Sequence, residues 1–469
     1  MKIPANRINR SVRVGLAILL AVIMGAGCAG IHEATKEEEP LTEFSFPKEF
    51  LWGAGTSSHQ VEGNNTNNDW WEWEQGFPIN MRSGEACDEW NRFEEDFQIA
   101  RSLGHTAYRF SLEWSRIEPS PGQFDSSALD HYREMILSLR AKGIEPIITL
   151  NHFTIPLWFM EKGGWLSDES PELFARYVQE TTEALGEEIH YWITINEPAV
   201  YVYRGYMGGE WPPGRESPKE AIIVLKNLLR GHVLAHEKIK EVYIRKGWKN
   251  PMVGVAQSVI VFSPSSKYSF MDQIVTHYCN WLFNELFIQT LMEGKVYFIG
   301  VFSIHLEKEK TLDFIGLNYY TRIFVRNNGF GFPSISIQAP TATESRIRNA
   351  EKDGFIPWEI YPKGLYTFLK DFARYKLPLL VSENGIATDD DAERVEFIAE
   401  HLKAVARAMS EGVPVIGYLY WSLLDNYEWA EGYAARFGLV EVDFNTQKRT
   451  VRDSAIKYGE IITSGKIIY

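Results

Sequence analysis

Trp192-Ile-Thr-Ile-Asn196, with Glu197 directly after it, is the pattern that decides the fold of this chain. It is an apolar, β-branched run of strand length that ends in an amide and a carboxylate. Similar runs recur along the chain, so the sequence predicts eight strands: Phe50–Thr56, Thr106–Glu113, Glu145–Leu150, Trp192–Asn196, Met252–Val259, Leu312–Tyr319, Leu377–Ser382 and Val415–Trp421.

Longer amphipathic stretches separate these strands and predict helices, for example over Ser126–Lys142, Pro171–Leu185, Ala221–Lys246 and Asp390–Glu411. Strands that alternate with helices pair in parallel, and eight such units fit a closed barrel better than an open sheet. No glycine-rich dinucleotide motif follows the first strand, which weighs against a doubly wound sheet. The predicted fold class is α/β, a single (β/α)8 TIM barrel with elaborated βα loops.

Polar side chains collect where the predicted strands end. In such a barrel this rim carries the chemistry. One polar residue alone would be an ordinary solvated or ion-paired group, but burying many together is costly unless they serve a site. The rim residues are Gln60, Glu62, Arg109, Glu113, Asn151, His152, Asn196, Glu197, Asn318, Glu383, Asn384 and Glu428.

Two of these rim carboxylates have the positions that glycoside hydrolysis needs. Glu197 and Glu383 follow strands that can face each other across a barrel mouth, and the retaining reaction uses two carboxyl groups about 5 Å apart. A positive charge such as Arg109 would lower the pKa of Glu383 and keep it ionised. Glu197 must instead hold a proton near neutral pH. Taken alone, Asn196-Glu197-Pro198 fits a helix-starting turn equally well.

The composition of the chain limits the classes of function that it can have. The formal net charge of −14 argues against nucleic acid as a partner, because no basic patch neutralises phosphates. Aromatic residues make up 14% of the chain, which fits either a large core or rings that stack on sugars. The few histidines show no metal-ligand spacing, so we expect no cofactor and disfavour a metal-dependent hydrolase.

The three cysteines are Cys28, Cys87 and Cys279. They form neither a metal-ligand spacing nor a disulfide framework. A bond between Cys87 and Cys279 stays open for an oxidising compartment, and two free buried thiols are the favoured interpretation.

The N-terminus is interpreted as a targeting segment. Arg7, Arg10 and Arg13 precede the apolar run Val14–Gly27, and this order is typical of an export signal. An acidic, polar stretch follows it and predicts a flexible tether. The predicted organisation is a signal peptide or membrane anchor over 1–27, a tether over 28–45 and a (β/α)8 glycoside hydrolase domain over 46–469.

Cys28 follows small residues and resembles the lipidated cysteine of a bacterial lipoprotein, although Gly25 stands where such sites usually carry Leu. The rival interpretation is an uncleaved anchor, because the uncharged run to Ile31 just reaches transmembrane length. Both place the basic end in the cytoplasm and the catalytic domain outside it, tethered to the membrane.

From about Phe46 to the C-terminus the chain resembles glycoside hydrolase family 1, the β-glucosidase family. One Asn-Glu-Pro would be weak evidence, but several motifs in the right order are specific. They are Phe50-Leu-Trp-Gly-Ala-Gly-Thr-Ser-Ser-His-Gln-Val-Glu-Gly63, Tyr108-Arg-Phe-Ser-Leu-Glu-Trp-Ser-Arg-Ile117, Ile193-Thr-Ile-Asn-Glu-Pro198, Gly316-Leu-Asn-Tyr-Tyr-Thr321, Val381-Ser-Glu-Asn-Gly385, Tyr420-Trp-Ser-Leu-Leu-Asp-Asn-Tyr-Glu-Trp429 and Arg436-Phe-Gly-Leu439.

The resemblance implies a role for each matching residue. Glu197 would be the acid/base, Glu383 the nucleophile, and Asn196 the partner of the sugar 2-hydroxyl. Arg109, Asn318 and Tyr320 would position the nucleophile. Trp421 would lie under the sugar ring, and Trp358 would be the platform for the leaving group. The remaining sugar hydroxyls would be bound by Gln60, His152, Glu428 and Trp429.

The resemblance also implies the substrate class, a small β-glycoside or oligosaccharide. Glu428 stands where members acting on 6-phosphorylated sugars carry a smaller residue, so a non-phosphorylated sugar is implied. Glu197 stands where thioglucosidases carry Gln, which implies an O-glycoside. Glucosyl, galactosyl and fucosyl groups all fit. A transglycosylase using the same intermediate is an alternative, and a non-catalytic sugar-binding relative is disfavoured because both glutamates are present.

Two departures from the family pattern stand out. His152 is followed by Phe153, where many members carry Trp. The stretch between Trp281 and Leu312 is short, and we expect it to leave the leaving-group side of the site open.

Overall fold

The computed structural model describes residues 42–298, 302–327, 334–336, 346–347 and 358–469. The predicted signal or anchor over 1–27 lies outside the described residues, as do Cys28 and most of the predicted tether. Among the described residues, no helix combines the length and the apolar character that crossing a bilayer requires.

Eight parallel strands form a closed barrel, which confirms the predicted fold class. Each strand pairs with the next one along the chain, and the last pairs with the first, so the ring closes without an edge. The strands are β1 Leu51–Gly55, β2 Ala107–Ser111, β3 Glu145–Asn151, β4 Tyr191–Asn196, β5 Met252–Pro264, β6 Phe314–Arg326, β7 Leu379–Asn384 and β8 Val415–Trp421.

A helix follows every barrel strand and covers the outside of the ring. The helices are α1 Glu89–Ser102, α2 Ser126–Ala141, α3 Ser170–Leu185, α4 Pro218–Lys246, α5 Leu286–Glu293, α6 Pro362–Phe372, α7 Asp391–Ser410 and α8 Asp453–Ser464. Helix α4 begins earlier than the predicted Ala221, because Ser217 caps it by accepting from the Glu220 N–H and Pro218 occupies its first turn.

Shorter elements fill the loops between these units. The helices are Ser58–Val61, Asp69–Glu74, Trp114–Ile117, Leu157–Glu161, Pro198–Val202 and Phe270–Asn280. The small strand pairs are Glu43–Ser45 with Lys466–Ile468, Lys295–Phe298 with Phe302–His305, Arg346–Ile347 with Glu359–Ile360, and Val440–Asp443 with Lys448–Val451, while Ser334–Ser336 pairs with β6. The last three residues of the predicted tether thus pair with the C-terminal strand.

The inside of the barrel changes from apolar to polar along the strands. Residues pointing inward alternate along a strand, so each layer is two residues from the next. The lower layer is a buried apolar cluster that includes Ala107, Ile147 and Leu380. Two residues further, β2 and β3 present Arg109 and Thr149, which are also buried. The alternation therefore seals the bottom of the barrel and leaves polar groups at the rim.

Strands β5 and β6 run past the barrel and stay paired as far as Pro264 and Val325. The stretch between Trp281 and Leu312 is predicted to leave the leaving-group side open. It contains α5 and leads to the start of β6, and the start of a strand lies at the face of the barrel opposite the rim. The openness of the leaving-group side stays a prediction.

Candidate active site

Glu197 leaves the end of β4 in a strained backbone conformation. Its φ of 44° is in the left-handed region, which costs a non-glycine residue about 1–3 kcal/mol. Its amide N–H donates to the Ala256 carbonyl of β5 at 2.7 Å, and Pro198 begins the next short helix. Both the helix-starting turn and the rim carboxylate, which the sequence left as alternatives, are therefore present together.

Glu383, at the end of β7, is held at both carboxylate oxygens. Arg109 Nη1 donates to Oε1 at 2.5 Å, and the Tyr320 hydroxyl donates to Oε2 at 2.6 Å. The Arg109 side chain is completely buried and also donates from Nη2 to Asn196 Oδ1 at 2.6 Å and from Nε to Thr149 Oγ1 at 3.0 Å. Because all three nitrogen atoms of the Arg109 guanidinium are hydrogen-bonded, the group is fixed and holds the Glu383 carboxylate in one orientation.

Asn318 on β6 connects the two glutamates. It is in register with Glu383 on β7, and its Nδ2 donates to Glu197 Oε1 at 3.0 Å. Its Oδ1 accepts from the Ser382 hydroxyl at 2.7 Å, which determines which side of the amide faces Glu197. Both glutamates therefore lie beside one oriented amide.

The two carboxyl groups differ in their electrostatic surroundings. Burial, and then the charge of Glu383, raise the pKa of Glu197 to about 8. Burial also raises the pKa of Glu383 above its ordinary value, but Arg109 and the Tyr320 hydroxyl oppose that rise. Glu197 has no ion pair among the described residues. The arrangement favours a proton on Glu197 and a charge on Glu383.

A third carboxyl group, Glu428, follows β8. Gln60 Nε2 donates to it at 3.1 Å, and the Gln60 oxygen accepts from the Ser57 hydroxyl at 2.7 Å. Burial and the neighbouring Glu383 raise the pKa of Glu428 to about 8. Three carboxyl groups in one buried mouth repel one another, so their protonation is coupled.

Aromatic rings line the same mouth in nearly parallel planes. The His152 ring lies 18° from the plane of Trp421 and 12° from that of Trp429, with centroids 5.8 and 6.1 Å away. Burial, reinforced by Arg109, keeps the pKa of His152 well below its ordinary value, so the ring is neutral. These flat, buried faces suit the C–H faces of a sugar ring.

The tautomer of His152 follows from its neighbour. The Asn196 oxygen accepts from Arg109 and Asn318, so its amide nitrogen faces His152 Nε2, at 3.2 Å, and donates to it. The proton of the neutral ring is then on Nδ1, which is buried and has no partner among the described residues. No described side chain therefore accepts the proton that this tautomer carries.

Trp358 lies on the other side of Glu383. Its half-buried ring packs against Tyr320 and Phe437, with centroids 5.1 and 5.9 Å away. Because Tyr320 contacts Glu383, the indole borders the Glu383 end of the mouth.

The structure brings every described residue that the sequence assigned to the site into one contact network. It does not bring in Glu62 and Glu113, which the rim pattern also selected. Glu62 pairs with Arg116 and accepts from Tyr132, while Glu113 accepts from nearby hydroxyls. Both carboxylates belong to a separate buried network and support the first two βα loops.

The structure also shows the state of two of the cysteines. Cys87 and Cys279 are free, and the Cys87 thiol donates to the Asp425 carbonyl at 3.1 Å. The described residues contain no cluster of three or more potential metal ligands.

Four residues that matter to the site's geometry were missed: His59, Asn426, Tyr427 and Phe437. All lie inside matched motifs, and His59 and Tyr427 directly adjoin the selected residues Gln60 and Glu428. Position in a motif was the available signal, but only the packed structure shows what each of these side chains contacts.

The chain is similar in sequence to known glycosyl hydrolases. Residues 42–467 match the model of glycosyl hydrolase family 1. A 1,4-β-D-glucan glucohydrolase of Thermotoga neapolitana is 34% identical over 89% of this chain and 98% of its own. A β-galactosidase of Pyrococcus woesei is 31% identical over 90% of this chain and 98% of its own.

Solved structures agree with these sequence matches. The β-glycosidase from Pyrococcus horikoshii superimposes with a TM-score of 0.82 at 41% identity, covering 91% of this chain and 96% of its own. The Thermotoga maritima β-glucosidase in complex with glucoimidazole gives a TM-score of 0.79 at 32% identity, covering 90% and 99%.

Proposed function

The chain belongs to glycosyl hydrolase family 1 and is a glycosyl hydrolase of the β-glucosidase type, and from this we propose a retaining mechanism with Glu383 as nucleophile and Glu197 as acid/base. The observation that carries the proposal is the difference between the two carboxyl groups. One is held by a buried guanidinium and a phenol, whereas the other accepts from the neutral Asn318 amide and has a pKa that burial and the charge of Glu383 raise to about 8.

In the first step the Glu383 carboxylate attacks the anomeric carbon from the face opposite the leaving group. The bond to the leaving oxygen breaks while Glu197 donates its proton to that oxygen, giving a covalent glycosyl ester and a free alcohol. Arg109 and Tyr320 keep Glu383 ionised and in place for the attack.

In the second step Glu197 removes a proton from water, and the hydroxide attacks the anomeric carbon and releases Glu383. The charge of Glu383 helps to raise the pKa of Glu197, and ester formation removes that charge. The pKa of Glu197 then falls, so the group that was an acid becomes an effective base. Two inversions leave the sugar in its original β configuration.

The glycone is proposed to be a terminal, non-phosphorylated β-D-glucosyl residue, or its galactosyl or fucosyl counterpart. Gln60 and Glu428 supply a paired amide and carboxyl group at one end of the mouth, and the His152 ring lies beside Trp429 in the same mouth. Glu428 pairs with the neutral Gln60 amide, and a carboxyl group at this position disfavours a phosphate there. Relatives named for glucoside and galactoside hydrolysis support this range.

An activated 2-deoxy-2-fluoro-β-glucoside tests the mechanism. The fluorine slows both steps, and a good leaving group restores only the first, so the ester accumulates. We expect the protein mass to rise by one fluorosugar and the label to map to Glu383. A label on another residue, or inactivation without a mass change, would contradict the assignment.

We further propose that the enzyme is exported and tethered to the membrane by its N-terminal segment. The arginines before the apolar run Val14–Gly27 support export, and Cys28 supports lipidation over an uncleaved anchor. Strand Glu43–Ser45 attaches the segment to the C-terminal strand, at the face of the barrel opposite the mouth. A tether joined there would leave the mouth free.

A further inference from the structure

The short helix Ser58–Val61, which follows β1, contacts the loop that carries Glu428. We call residues Asn426–Trp429 the sugar-binding loop. Gln60 Nε2 lies within hydrogen-bond distance of Asn426 Oδ1, the Tyr427 carbonyl and Glu428 Oε2, at 2.9 to 3.1 Å. The next side chain in this turn, His59, is also buried and also points to the loop.

His59 contacts the two aromatic residues that flank Glu428. Its ring lies 13° from the plane of Trp429, with centroids 5.8 Å apart. It meets the ring of Tyr427 edge-on, with centroids 5.9 Å apart. His59 therefore touches the loop on both sides of the carboxyl group that is proposed to bind the sugar.

Asn68 determines the orientation of the His59 protons. Its Oδ1 accepts from the Trp71 N–H at 2.8 Å as a helix cap, so its Nδ2 faces His59 Nδ1 at 3.1 Å. Nδ1 is then an acceptor, and the proton of the ring is on Nε2. That N–H points towards Glu74, whose Oε2 is 3.5 Å away.

Glu74 is bound from its other side. Its Oε1 accepts from the Ser83 N–H at 3.1 Å and from the Ser83 hydroxyl at 2.6 Å. Burial raises the pKa of Glu74, but contacts with His59, Ser83 and Tyr427 outweigh it and leave that pKa below its ordinary value. The side chains of His59 and Glu74 are both fully buried.

Three polar atoms are buried here without a close hydrogen-bond partner among the described residues: His59 Nε2, Glu74 Oε2 and Tyr427 Oη. Glu74 is the neighbour of both other groups, since its Oε2 lies 3.5 Å from His59 Nε2, and burial and then the charge of Glu74 raise the pKa of Tyr427. Leaving such atoms unpaired is costly, so Glu74 constrains both His59 and Tyr427. Glu74 thereby acts on the sugar-binding loop both through the His59 ring and through the Tyr427 phenol.

We propose that His59 and Glu74 form a buried dyad that positions the sugar-binding loop, so that Glu428 and Trp429 meet the hydroxyl groups of the glycone. The dyad touches neither the substrate nor the reacting carboxyl groups. The dyad affects recognition of the sugar. This role rests on the proposed glycosidase function. It has no part in proton transfer at Glu197.

The variant Glu74→Gln tests the dyad. The amide oxygen keeps the bonds to Ser83, so its NH2 group faces the His59 Nε2–H, and two donors oppose each other. We expect kcat/KM for p-nitrophenyl β-glucoside to fall about 10- to 100-fold, the effect of one misplaced hydrogen bond to a charged group. The β-xyloside, which lacks the hydroxymethyl group, should lose less than about threefold, since fewer of its contacts depend on the loop.

Tyr427→Phe is the second variant, because it removes one hydroxyl and keeps the ring. It should shift the glucoside-to-xyloside ratio in the same direction. Glu118→Gln is the matched control: Glu118 is buried and paired with Arg176, and it has no contact with the loop. Circular dichroism and thermal melting check that each variant is folded.

An unchanged glucoside-to-xyloside ratio in folded Glu74→Gln and Tyr427→Phe proteins would overturn the dyad. An equal loss on both substrates would also overturn it, because a general packing defect does not select a sugar. A wild-type enzyme that hydrolyses neither glycoside would instead contradict the proposed function itself.

Discussion

Asn318 Nδ2 lies 3.0 Å from Glu197 Oε1, and Asn318 is in register with Glu383 on the neighbouring strand. One amide thus separates the two glutamates and is held by Ser382 in a single orientation. Glu197 receives this neutral donor, whereas Glu383 receives a guanidinium and a phenol. The chemistry proposed for each carboxyl group follows from this asymmetry.

Replacing the nucleophile should allow rescue by a small anion. We expect Glu383→Ala to abolish hydrolysis of an aryl β-glucoside and azide to restore part of it, giving the α-azide, because only one inversion takes place. Product anomers are read by proton NMR. Glu197→Ala with azide is the control and should give the β-azide from an activated substrate. A β product from Glu383→Ala would contradict the assignment.

Removing the acid should matter most where the leaving group needs a proton. We expect Glu197→Ala to slow hydrolysis of alkyl and phenyl β-glucosides by about 100-fold or more, the usual contribution of general acid catalysis. A 2,4-dinitrophenyl glucoside should form the glycosyl ester at close to the wild-type rate, since its leaving group departs as an anion. Pre-steady-state bursts measure that step. Equal slowing for both classes would argue against Glu197 as the acid.

The pH profile should have a basic limb set by Glu197. The reaction requires its protonated form, and its pKa is raised to about 8, so kcat/KM should fall as the pH rises through about 8. The measurement is kcat/KM for an alkyl glucoside from pH 4 to 10. A profile flat between pH 6 and 10 would be incompatible with this role.

The acidic limb should respond to Tyr320. Its hydroxyl bonds to the charged form of Glu383 and lowers the pKa of that group. We expect Tyr320→Phe to raise the pKa of Glu383, so that the acidic limb of kcat/KM moves to higher pH and the rate near neutrality falls. Tyr366→Phe, which changes a tyrosine on α6, is a matched control, and the acidic limb of its pH profile should not move. An acidic limb unchanged in Tyr320→Phe would show that Arg109 alone maintains the charge.

Localisation can be tested with the full-length chain. We expect the wild-type protein to fractionate with membranes and to incorporate a labelled fatty acid at Cys28. Cys28→Ser should lose the label and remain unprocessed. A wild-type protein that is membrane-bound, full length and unlabelled would identify an uncleaved anchor instead.

Much of the barrel was predictable because its signals are local. Each strand is a short apolar run and each helix an amphipathic one. The predicted bounds of all eight strands therefore agree with the observed bounds within a few residues, except where β5 and β6 extend beyond the barrel. The far ends of β5 and β6 were missed, since their extension to Pro264 and Arg326 depends on pairing with each other. That pairing joins residues about 60 positions apart and leaves no local pattern.

The sequence by itself determined the barrel and the two glutamates, because strand periodicity and motif order are properties of neighbouring residues. The tertiary structure decided which carboxyl groups face the mouth. Register shifts lie between Ile193 and Asn196, next to Glu197, and between Val381 and Glu383. A shift of one residue moves a side chain to the other face of a strand, so only the paired strands reveal its direction. The raised pKa of Glu197 likewise depends on burial and on Glu383, which only the closed barrel brings together.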